Sequence, residues 1–222
     1  MLYYILIMLE EKVVRIREWL GSGSINVFGM PMSGKDTVGR RLAEVLRGGF
    51  LSSGGILREA ENEDRTLNLT KDGQLTPTKQ FYEIVLPYFG RENLKGYPLI
   101  LSMVGRWVGE EGPVMEALAG SGHELKAVLM LDVSEAEVQN RWRAAQALRD
   151  RGERADDKQE QILTVRLNEY RGKVQPVIEK YRELGLVVPV EAAGGRDEVF
   201  LAAVDAIYRF AIRRAEVNRA GA

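Results

Sequence analysis

The chain has 222 residues, which at ~150 residues per domain means one or two domains and a sizeable core. Hydrophobic residues make up 45% and charged residues 28%, near the average of soluble globular chains, and 31 Lys plus Arg against 32 Asp plus Glu leave a formal net charge of −1, without the basic excess of a nucleic-acid-coating protein. The absence of cysteine and the single histidine, His123, exclude disulfides, thiolate zinc sites, iron–sulfur clusters, cysteine nucleophiles and multi-histidine metal sites, so the chemistry falls to glycine, arginine, lysine and carboxylates.

Residues 1–9 (MLYYILIML) are apolar but shorter than the ~20 residues that span a bilayer. They lead into EEKVVRIREWL and not into a small-residue cleavage site. Leu6, Leu9, Val13, Ile16 and Leu20 recur every three or four residues. That spacing predicts an amphipathic helical extension over 1–23, capped by Gly21 and packed on the body of the protein; a membrane-surface or oligomer contact is the other use of such a face. Residues 24–28 (SINVF) read as a buried strand ending in glycine, 37–46 (TVGRRLAEVL) as a helix, and 49–51 as a short second strand. Residues 56–89 read as helix and turn, with Asp72-Gly73 a tight turn and Pro77 a helix start. Two further buried strands are predicted at 98–103 (PLILSM) and 127–133 (AVLMLDV). Ser134 and Glu137 form a capping box ahead of the next helix. A long helical pattern covers 155–181, softened at Pro176, before a last strand at 186–190 and a closing helix at 196–217. Alternating strands and helices predict an α/β fold of three α/β/α layers around a parallel sheet.

Residues 29–37 read GMPMSGKDT, between the first strand and the first core helix. Gly29 lets the chain leave the strand sharply, and Gly34 lets backbone approach an oxygen-rich anion. Successive N–H groups of Met32, Ser33 and Gly34 then share one concavity with the positive end of the following helix. Lys35 adds a full charge for β- and γ-phosphates. The pattern G-x-x-x-x-G-K calls for Ser or Thr next, to hold magnesium; here Asp36 intervenes and Thr37 follows.

With its proline third and its threonine delayed by one residue, this loop resembles that of the adenylate kinase family, the nucleoside monophosphate kinases with a P-loop NTPase fold. The resemblance runs in order along almost the whole chain from Ser24. FLSSGGILR (50–58) resembles the segment that holds the nucleoside monophosphate, which implies Ser53 and Arg58. DGQLTP (72–77) resembles the lining of the monophosphate base pocket, implying Gln74, Leu75 and Thr76. LILSMVGR (99–106) resembles the strand and loop whose arginine grips the α-phosphate, implying Arg106, and a base-reading position falls at Glu110. VQNRW (138–142) resembles the site of an arginine that stacks on the adenine of ATP, implying Arg141. RADDKQEQILTVRLNEY (154–170) resembles the stretch whose two arginines contact the phosphates in transfer, implying Arg154 and Arg166; which of Arg149 and Arg151 joins them stays open. The family architecture implies a core over 24–222, a monophosphate-binding insertion at about 54–92 and a short lid at about 141–157.

The chain departs from the family at several places. Gly55 and Ser102 stand where the family has acids that order magnesium's water shell, and Glu110 stands where it has a glutamine that reads AMP. Asp36 is a carboxylate the family usually lacks there, a possible substitute metal contact beside Thr37. The resemblance therefore implies a phosphotransferase using ATP with magnesium and no structural zinc, with AMP as the favoured acceptor. UMP, CMP, a deoxynucleotide, a small metabolite, or nucleotide binding without catalysis are the alternatives. No general base is demanded, because the acceptor is itself a phosphate. The chain is expected to be cytoplasmic and monomeric, without nucleic-acid partner or stable membrane insertion.

Overall fold

A computed structural model describes residues 2–64, 66, 67, 69, 75–148 and 160–220. The chain begins with helix α1 (Leu2–Leu20), then β1 (Ser24–Gly29), α2 (Lys35–Leu46), β2 (Gly49–Ser52), α3 (Ser53–Glu63) and α4 (Thr78–Val85). Two short 3₁₀ turns (Leu86–Gly90, Glu92–Leu94) lead into β3 (Leu99–Ser102), α5 (Glu111–Gly120), β4 (Leu125–Asp132) and α6 (Glu135–Leu148). Helix α7 (Glu160–Glu169) continues through a π turn (Tyr170–Val174) into α8 (Gln175–Glu183), followed by β5 (Val187–Glu191) and α9 (Arg196–Ala220). The strands form one sheet in the order β2-β3-β1-β4-β5, every neighbouring pair parallel. Because β1 lies at the centre and the chain crosses first to one side and then to the other, a crevice opens beyond the carboxyl ends of the strands, where α/β proteins bind ligands.

Side chains alternate across the pleat, so each strand supplies two cores. Ile25, Val27, Leu129, Leu131 and Val188 pack with α1, α2 and α9 on one face. Phe28, Leu99, Leu101 and Val128 pack with α3, α4, α5 and the α7–α8 helix on the other. Helix α1 belongs to the first core: Ile16 and Leu20 are fully buried, Trp19 meets Phe210 edge-on, and Lys12 Nζ donates to Asp205 at 2.6 Å. No helix among the described residues is long and apolar enough to cross a membrane.

The long helical stretch is softened at 170–174 and not at Pro176 itself. Pro176 has no N–H, and its ring presses on the carbonyl of Gly172, four residues earlier. The wider π turn, in which Gln175 N–H reaches back five residues to the Tyr170 carbonyl, gives that carbonyl room, and Pro176 follows at the start of α8.

Truncating Leu20 to alanine should lower unfolding free energy by about 2–5 kcal/mol, through lost transfer energy and a residual cavity. Urea denaturation monitored by circular dichroism measures it, and a loss under 1 kcal/mol would mean that α1 is not part of the core.

Candidate active site

The loop after β1 takes its shape from two glycines and one non-glycine residue in the left-handed region. A Cβ on Gly29 would lie 2.6 Å from Ser33 Oγ and 3.0 Å from the Leu131 carbonyl, so the turn admits no side chain. Gly34 has φ +90°, and Met32 adopts φ 63°. Ser33 N–H donates back to the Met30 carbonyl at 3.1 Å, and Val38 N–H to the Gly34 carbonyl at 2.9 Å, which starts α2 directly behind the loop. Lys35 Nζ lies over the loop, 3.4 Å from the Met30 carbonyl. Ser33 Oγ is buried and finds no hydrogen-bond partner. A concave loop, a helix start and an ammonium group thus share one small volume, the construction that binds phosphate.

Arg141, on α6, braces this loop from outside. Its Nε donates to Glu137 at 2.8 Å, Nη1 reaches the Met32 and Ser33 carbonyls, each at 3.4 Å, and Nη2 reaches the Ala192 and Gly194 carbonyls at 2.5 and 3.3 Å. All five N–H donors of the guanidinium are thereby committed along its edges. With the carbonyls of Met32 and Ser33 drawn toward Arg141, the loop is joined to the segment after β5.

Across the crevice, β3 ends at Ser102, whose Oγ donates to Asp36 at 2.6 Å. The serine at the tip of one strand thus holds a carboxylate on the helix behind the neighbouring strand. Thr37, next in sequence, is exposed. These hydroxyl and carboxylate oxygens suit a hard cation such as magnesium. Among the described residues no group of three His, Asp or Glu could hold a metal unaided, so such an ion would be shared with a ligand's phosphates.

Beyond β3 the chain turns through Met103 (φ 56°) and Gly105 (φ 76°) to reach Arg106. Asn26, fully buried on β1, fixes this loop at two points. Its Nδ2 donates to the Val104 carbonyl at 2.7 Å, and its Oδ1 accepts from Val104 N–H at 3.3 Å. Ser53 Oγ, at the start of α3, donates to the Met103 carbonyl at 2.6 Å. Ser53 therefore ties the loop to α3, one turn before Arg58, whose guanidinium lies against Gly54.

Arg106 itself is half-buried, with the Nη2 end of its guanidinium turned inward. Burial holds its guanidinium well below its ordinary value, to about 10, against opposing help from Glu110 and Glu169 and further depression by Arg166. Its Nη2 is buried and has no hydrogen-bond partner. A buried cationic donor left without an acceptor is costly unless an anion completes it. Glu110 is 1% exposed. One carboxylate oxygen accepts from the N–H groups of Arg106 and Trp107 at 2.7 and 3.1 Å; the other is buried without a partner.

The segment before α4 is also anchored here. Leu75 N–H donates to Glu169 at 3.1 Å, and Glu169 also accepts from Lys173 at 2.6 Å. Trp107 Nε1 donates to the Thr76 carbonyl at 3.2 Å under the Lys173 ammonium, and Thr76 Oγ1 donates to the Leu69 carbonyl at 3.0 Å. Leu75 and Thr76 therefore meet the Arg106 loop and α7, which carries Arg166. Gln74 and Arg154 lie outside the described residues, as do Arg149, Arg151 and most of the segment read as a lid.

Asn26, Trp107 and Glu169 are structural members of the site that the sequence reading did not single out for it. A buried amide inside the otherwise apolar SINVF was the available signal for Asn26. Glu169 had only its place beside the Arg166 motif.

Comparison with known proteins agrees with this geometry. A family described as an AAA domain matches residues 28–163. An adenylate kinase of Mycolicibacterium smegmatis is 31% identical over 192 residues, covering 82% of this chain and 97% of the relative. An adenylate kinase of Phocaeicola vulgatus is 30% identical, with 83% and 97% covered. One of Clavibacter michiganensis is 32% identical, with 78% and 86% covered. In fold, the chain is similar to a gluconokinase from Sinorhizobium meliloti, with a TM-score of 0.54 at 20% identity over 87% of this chain and 95% of that one. Fold, phosphate loop and relatives together place the chain in the adenylate kinase family of P-loop kinases, as a phosphotransferase.

Proposed function

We propose that this kinase transfers the γ-phosphate of ATP reversibly to a nucleoside monophosphate, with AMP the favoured acceptor. The observation that carries the reading is the buried, uncompleted Nη2 of Arg106, held across the crevice from the phosphate loop. It is a donor waiting for a second anion beside the one the loop accepts.

In this reading the amides of Met32 and Gly34 and the Lys35 ammonium hold the donor phosphates, while Ser33 N–H stays bonded to the Met30 carbonyl, and the guanidinium face of Arg141 carries the adenine. Arg106 grips the acceptor phosphate with Arg58, near Ser53 and the Leu75–Thr76 backbone, while Arg166 faces the transferring group; the roles assigned to Gln74 and Arg154 rest on the family resemblance alone. An oxygen of the acceptor phosphate attacks the γ-phosphorus, and the bond to the β,γ-bridging oxygen breaks with its electron pair leaving on ADP. Charge spreads over the equatorial oxygens, so guanidinium forks and the lysine stabilise the transition state and no side chain has to remove a proton. Magnesium arriving with ATP would be held through Thr37 and through Asp36, which Ser102 orients, and supplies neutralisation of β- and γ-phosphate charge.

A second acceptor remains a distinct reading because Glu110 occupies one of its oxygens with backbone N–H groups. ADP formation measured against AMP, UMP, CMP, deoxynucleotides and small hydroxylic metabolites, each with magnesium ATP, decides between them. Fastest turnover with AMP is expected. Turnover confined to another acceptor would move the assignment there, and ATP binding without turnover on any would make the protein a binding module. Lys35→Ala should lower turnover about 10²–10³-fold with little change in melting temperature; unchanged turnover would remove the donor assignment.

The alkaline behaviour of Arg106 supplies a further check. Its folded value lies below the ordinary one, so burial penalises the cation at every pH below about 10. Phosphate needs that cation. Monophosphate affinity should therefore fall as pH rises through about 10, and a bound monophosphate should raise the melting temperature below that point. Arg106→Met should show neither effect; a melting shift retained in that variant would place the acceptor elsewhere.

A further inference from the structure

We infer that Glu110 acts in the acceptor site as a positioning residue for Arg106, pinning the loop that carries it, and does not read the acceptor's base. The inference rests on the reading above that Arg106 grips the monophosphate.

The loop between β3 and α5 has few regular hydrogen bonds of its own. It turns through two left-handed residues, Met103 and Gly105, and the N–H groups that follow, of Arg106 and Trp107, have no strand or helix partner. Both converge on Glu110 Oε2, at 2.7 and 3.1 Å. Glu110 is itself rigidly placed: its N–H donates to the Trp107 carbonyl at 3.0 Å, and its carbonyl accepts from Val114 N–H at 3.0 Å as α5 begins. On the other side of Arg106, Asn26 holds Val104 by both of its backbone groups. Arg106 is thus suspended between two fixed points, one on the central strand and one on the helix start.

The carboxylate also adds negative charge beside a half-buried cation without consuming its buried Nη2 donor. Among the described residues no ion pair joins the Arg106 and Glu110 side chains, so Nη2 stays available to a phosphate oxygen. Among the described residues, Glu169 and Arg166, from α7, are the other charged groups acting on Arg106, and Lys173 pairs with Glu169. A glutamine at 110 would keep the size of the side chain but lose the charge and, with a neutral amide oxygen, weaken both N–H bonds that pin the loop. A base-reading glutamate would behave differently, because its buried second oxygen would meet a base amine and have nothing to do with phosphate.

The test is calorimetric titration of the full chain and its Glu110→Gln variant with AMP, UMP, ribose 5-phosphate and ATP. All three monophosphates should weaken by one common factor of about tenfold, while ATP changes by less than about twofold. On an Arg106→Met background, Glu110→Gln should weaken ribose 5-phosphate no further. The alkaline fall in monophosphate affinity should also move to lower pH in Glu110→Gln, a change that general structural damage would not produce. If AMP and UMP change, in affinity or in order, while ribose 5-phosphate does not, Glu110 reads the base and the inference is overturned. Should Glu110→Gln fail to fold, Glu110→Asp is titrated in the same way, and the same common factor is required. A wild-type chain that binds none of the monophosphates would instead overturn the acceptor-site reading, and this inference with it.

Discussion

A cationic donor removed from water without an acceptor is among the most demanding groups a fold can hold, and Nη2 of the half-buried Arg106 is held that way. Three elements fix it: β3 delivers the loop, Asn26 on β1 clamps the loop from beneath, and Glu110 at the start of α5 closes it from above. Ser53 and Trp107 then fasten α3 and the residues before α4 to the same loop. Removal of the clamp would allow the cation to swing into solvent, where it is far better hydrated. The site is therefore organised around a charge that is costly in isolation and becomes favourable when a second anion arrives.

The donor side obeys a different physics. Its loop owes its shape to backbone and only secondarily to charge. Gly29 admits the close pass of Ser33 and the Leu131 carbonyl, Gly34 sits at positive φ, and Arg141 draws two carbonyls outward. One side of the crevice is thus preshaped by peptide groups and the other by a half-buried cation. The opening balance of 31 basic against 32 acidic residues conceals this, since five of the arginines fall within 141–154 alone, against Asp150 and Glu153.

Much of the fold was legible in the sequence because it depends on short-range pattern. Apolar runs marked β1, where a glycine closes the run, and β3, and alternation with helical spacing specified a parallel sheet. The phosphate loop was legible from Gly29, Gly34 and Lys35, since their spacing is itself the geometry. What was not legible is long-range. Nothing near Glu169 announces that it accepts from Leu75, 94 positions earlier. The π turn at Tyr170–Val174 arises from Pro176 acting backward on its helix, so the break precedes the residue that causes it. Arg141 shows a similar limit: its neighbours in sequence pointed to a nucleotide contact, while its brace on Met32, Ser33, Ala192 and Gly194 exists only once α6, the loop and the end of β5 have come together.

The central claim is that the crevice moves one phosphoryl group directly between two bound nucleotides. Single-turnover mixing of excess enzyme with ATP labelled at the γ-phosphate, magnesium and AMP tests it most directly. Label appearing in the β-phosphate of ADP formed from AMP, without passing through inorganic phosphate, is the predicted result. Label that stays in ATP, or that emerges only as inorganic phosphate, would contradict the account.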